Sequence, residues 1–264
     1  MLATRDLTIR FGGHVAVNAV TCAFEPGTLT AIVGPNGAGK TTYFNLISGQ
    51  LKASAGSVHL DGRDISALSP AARTRAGLGR AFQLTNLFPN LSVQENVRLA
   101  VQSVARGPHR HGLNLTSIWS SHQSLTARAD EILQSVSMAD KRDMPVSSLP
   151  HGDQRKLEVA LLMALDPQVY MFDEPTAGMG HDEAPVILNL IRQLKKDRSK
   201  TILLVEHKMD VVRELADRII VLTNGTLVAD GDPAEVIASP VVQQAYLGVS
   251  ADEDQRASAT EVTA

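Results

Sequence analysis

Gly34-Pro35-Asn36-Gly37-Ala38-Gly39-Lys40-Thr41 carries glycine, lysine and hydroxyl at the spacing G-x-x-x-x-G-K-[ST], and Thr42 follows it. Glycines let the chain turn its backbone N–H groups inward around a polyphosphate and approach it closely. The helix that follows the loop presents its N-terminus to the same anion. In such a loop the lysine reaches the β- and γ-phosphates, and the Thr41 hydroxyl is the expected ligand of Mg²⁺. A Gly-rich turn can match this pattern by chance. The context the motif requires, strand before and helix after, is met here by Leu29–Val33 and Tyr43–Ser48, with Gly49 as the stop.

A second pair of residues has matching chemistry. Val169-Tyr-Met-Phe172 is an apolar strand that ends in Asp173 and Glu174. In a parallel sheet the strand C-termini open onto the ligand crevice. Asp173 there suits Mg²⁺, through water, and Glu174 suits polarising an attacking water. A lone Asp-Glu at a strand end is commonly just solvated; with a phosphate loop upstream the catalytic reading is preferred.

The elements around these residues alternate. Leu7–Arg10 and Val15–Phe24 read as strands, Glu25-Pro26-Gly27 as a turn, and residues 56–65 as a strand pair about a Gly-containing turn. Ser92-Val-Gln-Glu95 has the form of a capping box that opens a helix through Val101. Residues 103–124 read as a surface insertion and Ala127–Ser137 as a helix. Asp153–Leu165 is a helix with Leu157, Ala160, Leu161 and Ala164 on one face. Ala184–Lys196 and Met209–Ala216 read as helices, and Thr201–Glu206 as a strand between them. Arg218–Leu222 and Thr226–Ala229 read as strands around Asn224-Gly225, a hairpin signal. Residues 251–264 are small and polar, a disordered tail by composition. This order gives an α/β nucleotide-binding core with a helical subdomain inserted in it.

Composition narrows the classes. The chain has 264 residues, 44% of them hydrophobic, and a net charge of −3. Neither the charge nor any Lys/Arg block suggests a nucleic-acid partner. One cysteine, Cys22, allows no internal disulfide and reads as a small buried apolar residue. No apolar run approaches the roughly 18–20 residues that cross a bilayer, and residues 1–13 lack the apolar middle of a signal peptide. The expected place is cytosolic unless a partner holds the chain to a membrane.

Taken together, these motifs resemble the nucleotide-binding subunits of ABC transporters, over about residues 5–248. The resemblance implies a P-loop NTPase (RecA-like) α/β core with an N-terminal antiparallel β subdomain and an inserted α-helical subdomain. That is one ABC ATPase domain over 1–250, with its helical part at about 88–165. It implies ATP and Mg²⁺. It carries over further roles by position. Phe11 sits where an aromatic stacks on adenine. Gln83, in Arg-Ala-Phe-Gln-Leu, matches the glutamine that senses Mg²⁺ and water. His207 matches the switch histidine that bridges to the γ-phosphate. Ala177-Gly-Met-Gly180 occupies the D-loop. Leu149, Pro150, His151, Gly152, Asp153 and Gln154 occupy the signature segment, which touches the nucleotide bound to the other subunit.

Two segments depart from the family's commonest pattern. Pro150 stands where the signature has a serine hydroxyl, and it has neither hydroxyl nor N–H. Asp153 replaces a glutamine, and it is expected to point away from phosphate and cap the helix. The D-loop lacks Ser-Ala-Leu-Asp. Both departures, with Gln83-Leu-Thr-Asn-Leu-Phe88, Leu91–Val97 and Gln244-Ala-Tyr-Leu-Gly248, look similar to the ATPases of branched-chain amino-acid importers, some of whose relatives carry urea, amides and aromatic acids. The implied partners are transmembrane permease subunits, a second ABC ATPase in a homodimer or heterodimer, and indirectly a periplasmic or extracellular substrate-binding protein. The implied location is the cytoplasmic face of the inner membrane, as a peripheral subunit. A non-transport ABC ATPase acting on nucleic acid is the competing class, disfavoured by the single cassette and mild negative charge. A P-loop GTPase is disfavoured because no Asn-Lys-x-Asp segment is present to read guanine.

Overall fold

Short strands buried along almost their whole length organise the first of two units. A computed structural model describes residues 1–81, 87–104, 123–180, 183–240 and 242–243. The first unit holds Met1–Leu78, Val169–Glu174 and the described residues from Lys195 onward. Its central strand β3 (Leu29–Val33) pairs in parallel with β8 (Thr201–Val205) on one side and β9 (Arg218–Thr223) on the other. β8 pairs in parallel with β7 (Val169–Asp173). β10 (Thr226–Gly231) closes the other edge antiparallel to β9, across Asn224-Gly225, both at positive φ as a tight hairpin turn requires. Strands buried on both faces suit this parallel arrangement.

A second sheet, of order β2-β1-β4-β5, is antiparallel and comes from the N-terminal part of the chain. Its strands are β1 (Leu2–Phe11), β2 (His14–Phe24), β4 (Ala55–Leu60) and β5 (Arg63–Asp64). β1 begins well before the expected Leu7. Asp6 takes φ +46 and shifts the register between Thr4 and Leu7, which breaks the alternation that would have revealed the strand.

Helix α1 (Lys40–Ser48) buries Tyr43, Phe44, Leu46 and Ile47 in a core shared with Leu2 and Phe24 of the second sheet and Met171, Leu203, Ile220 and Leu222 of the first. The Tyr43 hydroxyl meets Thr4 Oγ1 at 2.8 Å. The opposite face of the parallel sheet presents Ala31, Val33, Ile219 and Val221. These pack with Val212 of α7 (Met209–Leu215) and Val236 of α8 (Pro233–Ala238). Among the described strands and α-helices, three were not expected. One is α2 (Pro70–Arg75), capped by Ser69; another is α8, capped by Asp232, each with proline at its start. The third is β6 (Leu78–Ala81).

The second unit comprises the described residues of Gly79–Gln168 and Pro175–Leu194. Here α3 (Val93–Val104) packs against α4 (Gln123–Ser135) and α5 (His151–Leu165), and α6 (Ala184–Lys195) buries Ile187, Leu190 and Ile191. The capping box is formed in both directions: Ser92 N donates to Glu95 Oε2 at 2.9 Å, and Glu95 N to Ser92 Oγ at 3.1 Å. The expected apolar face of α5 needs correction. Leu157, Ala160 and Ala164 are buried but Leu161 is only half-buried, while Val159 and Leu162 are buried instead. The helix therefore buries more than one stripe. No helix among the described residues is long and apolar enough to cross a membrane. Most of the expected insertion 103–124, the Gln244–Gly248 segment and the tail lie outside the described residues.

Candidate nucleotide site

Sheet topology puts the chemistry in one place. β8 lies between β3 and β7, and all three run parallel. Ile32 and Asp173 both pair with Val205, so the three strands end level. The glycine loop follows β3, Asp173 and Glu174 end β7, and His207 follows β8. Residues that are far apart in sequence thus converge at the C-terminal edge of one sheet.

The loop is shaped by close backbone approach. Gly34 takes φ +150, and a Cβ there would lie 2.1 Å from the Leu222 carbonyl oxygen. At Gly39 (φ +93) it would lie 2.5 Å from the Ala16 carbonyl oxygen, and at Gly225 2.6 Å from the same atom. Gly225 N also donates to Ala38 O at 3.0 Å, and Asn18 N to Gly225 O at 2.8 Å. The β9–β10 turn and β2 therefore brace the loop from behind. Nothing in the sequence motif marks Ala16 or Gly225 for that task. Gly39 caps α1, and Gly49 at φ +82 ends it. Pro35, Asn36, Gly37 and Ala38 complete the loop, with Ala38 N bonded to Pro35 O.

Lys40 is buried, and its Nζ donates to Gly34 O at 2.6 Å and Pro35 O at 2.9 Å. Burial pushes its pKa down, and the nearby Glu174 and Asp173 carboxylates oppose that shift. Thr41 is exposed and Thr42 half-buried in the same first turn. Glu174 Oε1 lies 2.6 Å from His207 Nε2. Both side chains are open to solvent, at 40% and 42% exposure, so packing does not lock them. Glu174 itself stands at φ +49, with its N–H bonded to Val205 O. Beneath His207, the buried Glu206 accepts from His207 N at 2.8 Å. Phe11 is half exposed beside the β1–β2 turn. Gln83 lies outside the described residues.

Another buried cation secures α1 from its far end. Arg73 donates to Leu46 O and Ile47 O at 2.7 and 2.6 Å, and to Ser66 O at 2.8 Å. A cation on the C-terminal carbonyls complements the helix dipole. Arg73 stands two residues from Arg75, and nothing in residue type marks which of the two turns inward.

In the second unit, the Leu149–Gln154 segment opens α5. Pro150 is the N-cap residue, with no side-chain cap, and Gln154 Nε2 donates to Leu149 O at 2.9 Å. His151 is exposed. Asp153 does not cap the helix as expected. It lies in the first turn, buried, between Lys141 Nζ at 2.5 Å and Lys156 Nζ at 3.1 Å. Burial pushes its carboxyl up, but the two lysines outweigh that and hold it below the ordinary carboxylate range. Two cations within reach of a carboxylate outcompete the helix amides. The Glu183 carboxylate sits against Gly152, where a Cβ would approach it to 2.0 Å, and it also accepts from Gly180 N at 3.1 Å.

With this geometry in view, comparison with known proteins decides the family. The ABC transporter profile matches residues 17–177. The chain belongs to the ABC transporter family. It is an ATP-binding subunit whose ATP hydrolysis is coupled to transport, and such a subunit works with membrane permease partners. A second profile, for branched-chain amino acid ATP-binding cassette transporters, matches residues 226–252. The high-affinity branched-chain amino acid transport ATP-binding protein LivG of Salmonella typhimurium is 37% identical over 94% of this chain and 98% of its own. BraF of Pseudomonas aeruginosa, with the same description, is 35% identical over 94% and 98%. Among solved structures, the ADP conformation of MJ1267, an ATP-binding cassette of an ABC transporter, superposes with TM-score 0.78. It is 28% identical and covers 94% of this chain and 98% of that one. A dimeric post-hydrolysis state of the cassette MJ0796, bound to ADP and Pi, gives TM-score 0.75 at 26% identity, covering 88% and 99%. The mixed α/β fold with its antiparallel sheet is the fold of these cassettes.

Proposed function

We propose that this ATPase powers the import of branched-chain amino acids, or of related amides and carboxylates, through separate membrane subunits. The observation that carries the substrate class is full-length similarity to LivG and BraF, joined to the C-terminal match at residues 226–252. The proposal includes a periplasmic or extracellular substrate-binding protein, and a location on the cytoplasmic face of the inner membrane. It also places the cassette at residues 1–250, with a helical subdomain at about 88–165.

Hydrolysis is assigned to the edge where β3, β7 and β8 end. Gly34–Thr42 cradle the phosphates through backbone N–H groups and the start of α1. Lys40 exchanges its bonds to Gly34 O and Pro35 O for β- and γ-phosphate oxygens. Thr41 and Asp173 are oxygen donors of the kind Mg²⁺ prefers, and these residues, with Gln83, would hold it. That ion, when bound, neutralises charge developing on the phosphates. Glu174 polarises the attacking water and takes its proton. His207, hydrogen-bonded to Glu174, orients the carboxylate and reaches toward the γ-phosphate. Phe11 stacks on adenine. Leu149, Pro150, His151, Gly152, Asp153 and Gln154 face the nucleotide of a second ATPase, identical or similar. With Pro150 lacking a hydroxyl, that trans contact relies on the first-turn amides of α5.

The test is uptake of labelled leucine by cells carrying Lys40→Ala in place of the wild-type gene. Collapse of uptake supports the proposal. Unchanged leucine uptake, with ATPase activity lost in the purified variant, moves the substrate to urea, other amides or aromatic acids.

A further inference from the structure

β8 is buried throughout, Thr201 to Val205, and the next residue in that buried run is a glutamate rather than another apolar side chain. Glu206 is 4% exposed. A carboxylate in that position is costly unless its lone pairs are filled. Its Oε2 accepts from His207 N at 2.8 Å and, more weakly, from Lys208 N at 3.3 Å. Lys208 is the N-cap residue of α7 and offers no side-chain cap of its own. The buried carboxylate thus takes up amides at the entrance to the helix and fixes the backbone from which the His207 side chain departs.

That anchor matters because the pair above it has little else to hold it. Glu174 and His207 are each about two-fifths exposed, so contact at 2.6 Å depends on where their backbones stand. Glu174 is tied to β8 through its N–H to Val205 O. His207 is tied to the same strand through Glu206. Charge-assisted bonds of this kind are about twice as strong as neutral ones. A base held about 1 Å out of place can lose two orders of magnitude in rate.

We propose that Glu206 is a positioning residue for ATP hydrolysis: its carboxylate sets the His207 backbone so that the imidazole meets Glu174. The inference rests on the assignment of Glu174 and His207 to hydrolysis. Glu206 touches neither nucleotide nor water in this role, so its loss should slow turnover without weakening ATP binding.

Steady-state ATPase kinetics of Glu206→Ala, Glu206→Gln and Glu174→Gln, with nucleotide binding measured in parallel, test this. Glu206→Ala should lower kcat by about tenfold or more, with KM for ATP and nucleotide Kd within about twofold of wild type. Glu206→Gln keeps an acceptor oxygen at the same reach, and it should restore most of the lost turnover. A purely structural role would move kcat, KM and melting temperature together and would not spare binding. Wild-type kcat in Glu206→Ala overturns the proposal, as does a glutamine variant no better than alanine. Should Glu206→Ala fail to fold, Glu206→Asp replaces it, since its carboxylate is one methylene short of the amides. Lowered kcat at unchanged KM is then expected, and wild-type kcat overturns the proposal. If Glu174→Gln hydrolyses normally, the assignment of the pair fails and the inference with it. If Glu174→Gln is inactive and Glu206→Ala is not, the inference alone fails.

Discussion

Replacing Asp153 by asparagine keeps the shape of the side chain and removes its charge from between two lysines. The carboxylate is 4% exposed, Lys156 12% and Lys141 31%, so solvent screens the pairs only in part. Hydrogen bonds involving charged groups contribute roughly 1.5–3 kcal/mol each. Asparagine still accepts from one lysine, and Lys141 can turn to water, so a loss of about 2–3 kcal/mol is expected rather than the sum of both bonds. At roughly 2–4 °C per kcal/mol for a chain of this size, that is a fall of about 4–12 °C in Tm at pH 7. The sign of the pH dependence follows from the direction of the pKa shift. The folded carboxyl is held below its unfolded value of about 3.9, so its contribution is complete above that value and is lost as pH falls through the folded pKa. The gap between wild type and Asp153→Asn should therefore be widest near neutrality and shrink on acidification below about pH 4. Circular-dichroism melts of both proteins across this range provide the test. A variant as stable as wild type at pH 7, or a gap that widens in acid, would refute the ion-triad account of Asp153.

Three other substitutions probe the site. Glu174→Gln should bind ATP yet hydrolyse it at least about a hundredfold more slowly, the low end for loss of a general base; near-normal phosphate release would remove Glu174 from that role. Gly34→Ala places a methyl 2.1 Å from a backbone oxygen of β9 that cannot swing aside, at φ +150. Affinity for a fluorescent ATP analogue should drop at least about tenfold, or about 1.4 kcal/mol, and unaltered binding would contradict the close-approach reading. Arg73→Met leaves the carbonyls of Leu46, Ile47 and Ser66 without the donor they now share. A loss of about 3 kcal/mol, or a Tm lower by about 6–12 °C, is expected in a thermal melt, and a Tm within error of wild type would show that the clamp contributes nothing.

The parts of the fold legible in the sequence were those with a local signal. Short, mostly apolar runs gave β3, β7 and β8; Asn224-Gly225 gave the β9–β10 hairpin; Ser92 and Glu95 gave the start of α3. Where a local rule is broken by tertiary demand, the reading failed. Asp6 hides the first half of β1 by a left-handed bulge that a glycine would have advertised. Asp153 is a good helix-capping type, and only folding brings Lys141 within reach of it. Glu206 read as the last residue of a strand, because the two amides it accepts belong to a turn whose geometry has no signature in residue types. The glycine loop was fully legible as a motif, yet what forces its glycines is the carbonyls of Leu222 and Ala16, from strands distant in sequence.

Glu174 illustrates how tertiary structure completes what adjacent residue types leave open. Along an extended strand successive side chains point to opposite faces, so Asp173 and Glu174 would be separated by the sheet itself. The structure departs from that rule at one bond. Asp173 keeps its register opposite Val205, whereas Glu174 turns to φ +49 immediately before Pro175. Left-handed backbone costs a non-glycine residue roughly 1–2 kcal/mol, and it persists where the surroundings over-determine it. Here the Glu174 N–H is held by Val205 O, and the resulting turn carries its carboxylate to His207 Nε2 at 2.6 Å. One φ thus lets the first carboxylate stay with the strand and the second reach across to the end of β8. Neither residue type announces that division, because glutamate at positive φ is not a pattern that spacing can reveal. It becomes readable only once β7 and β8 are known to lie side by side and end level.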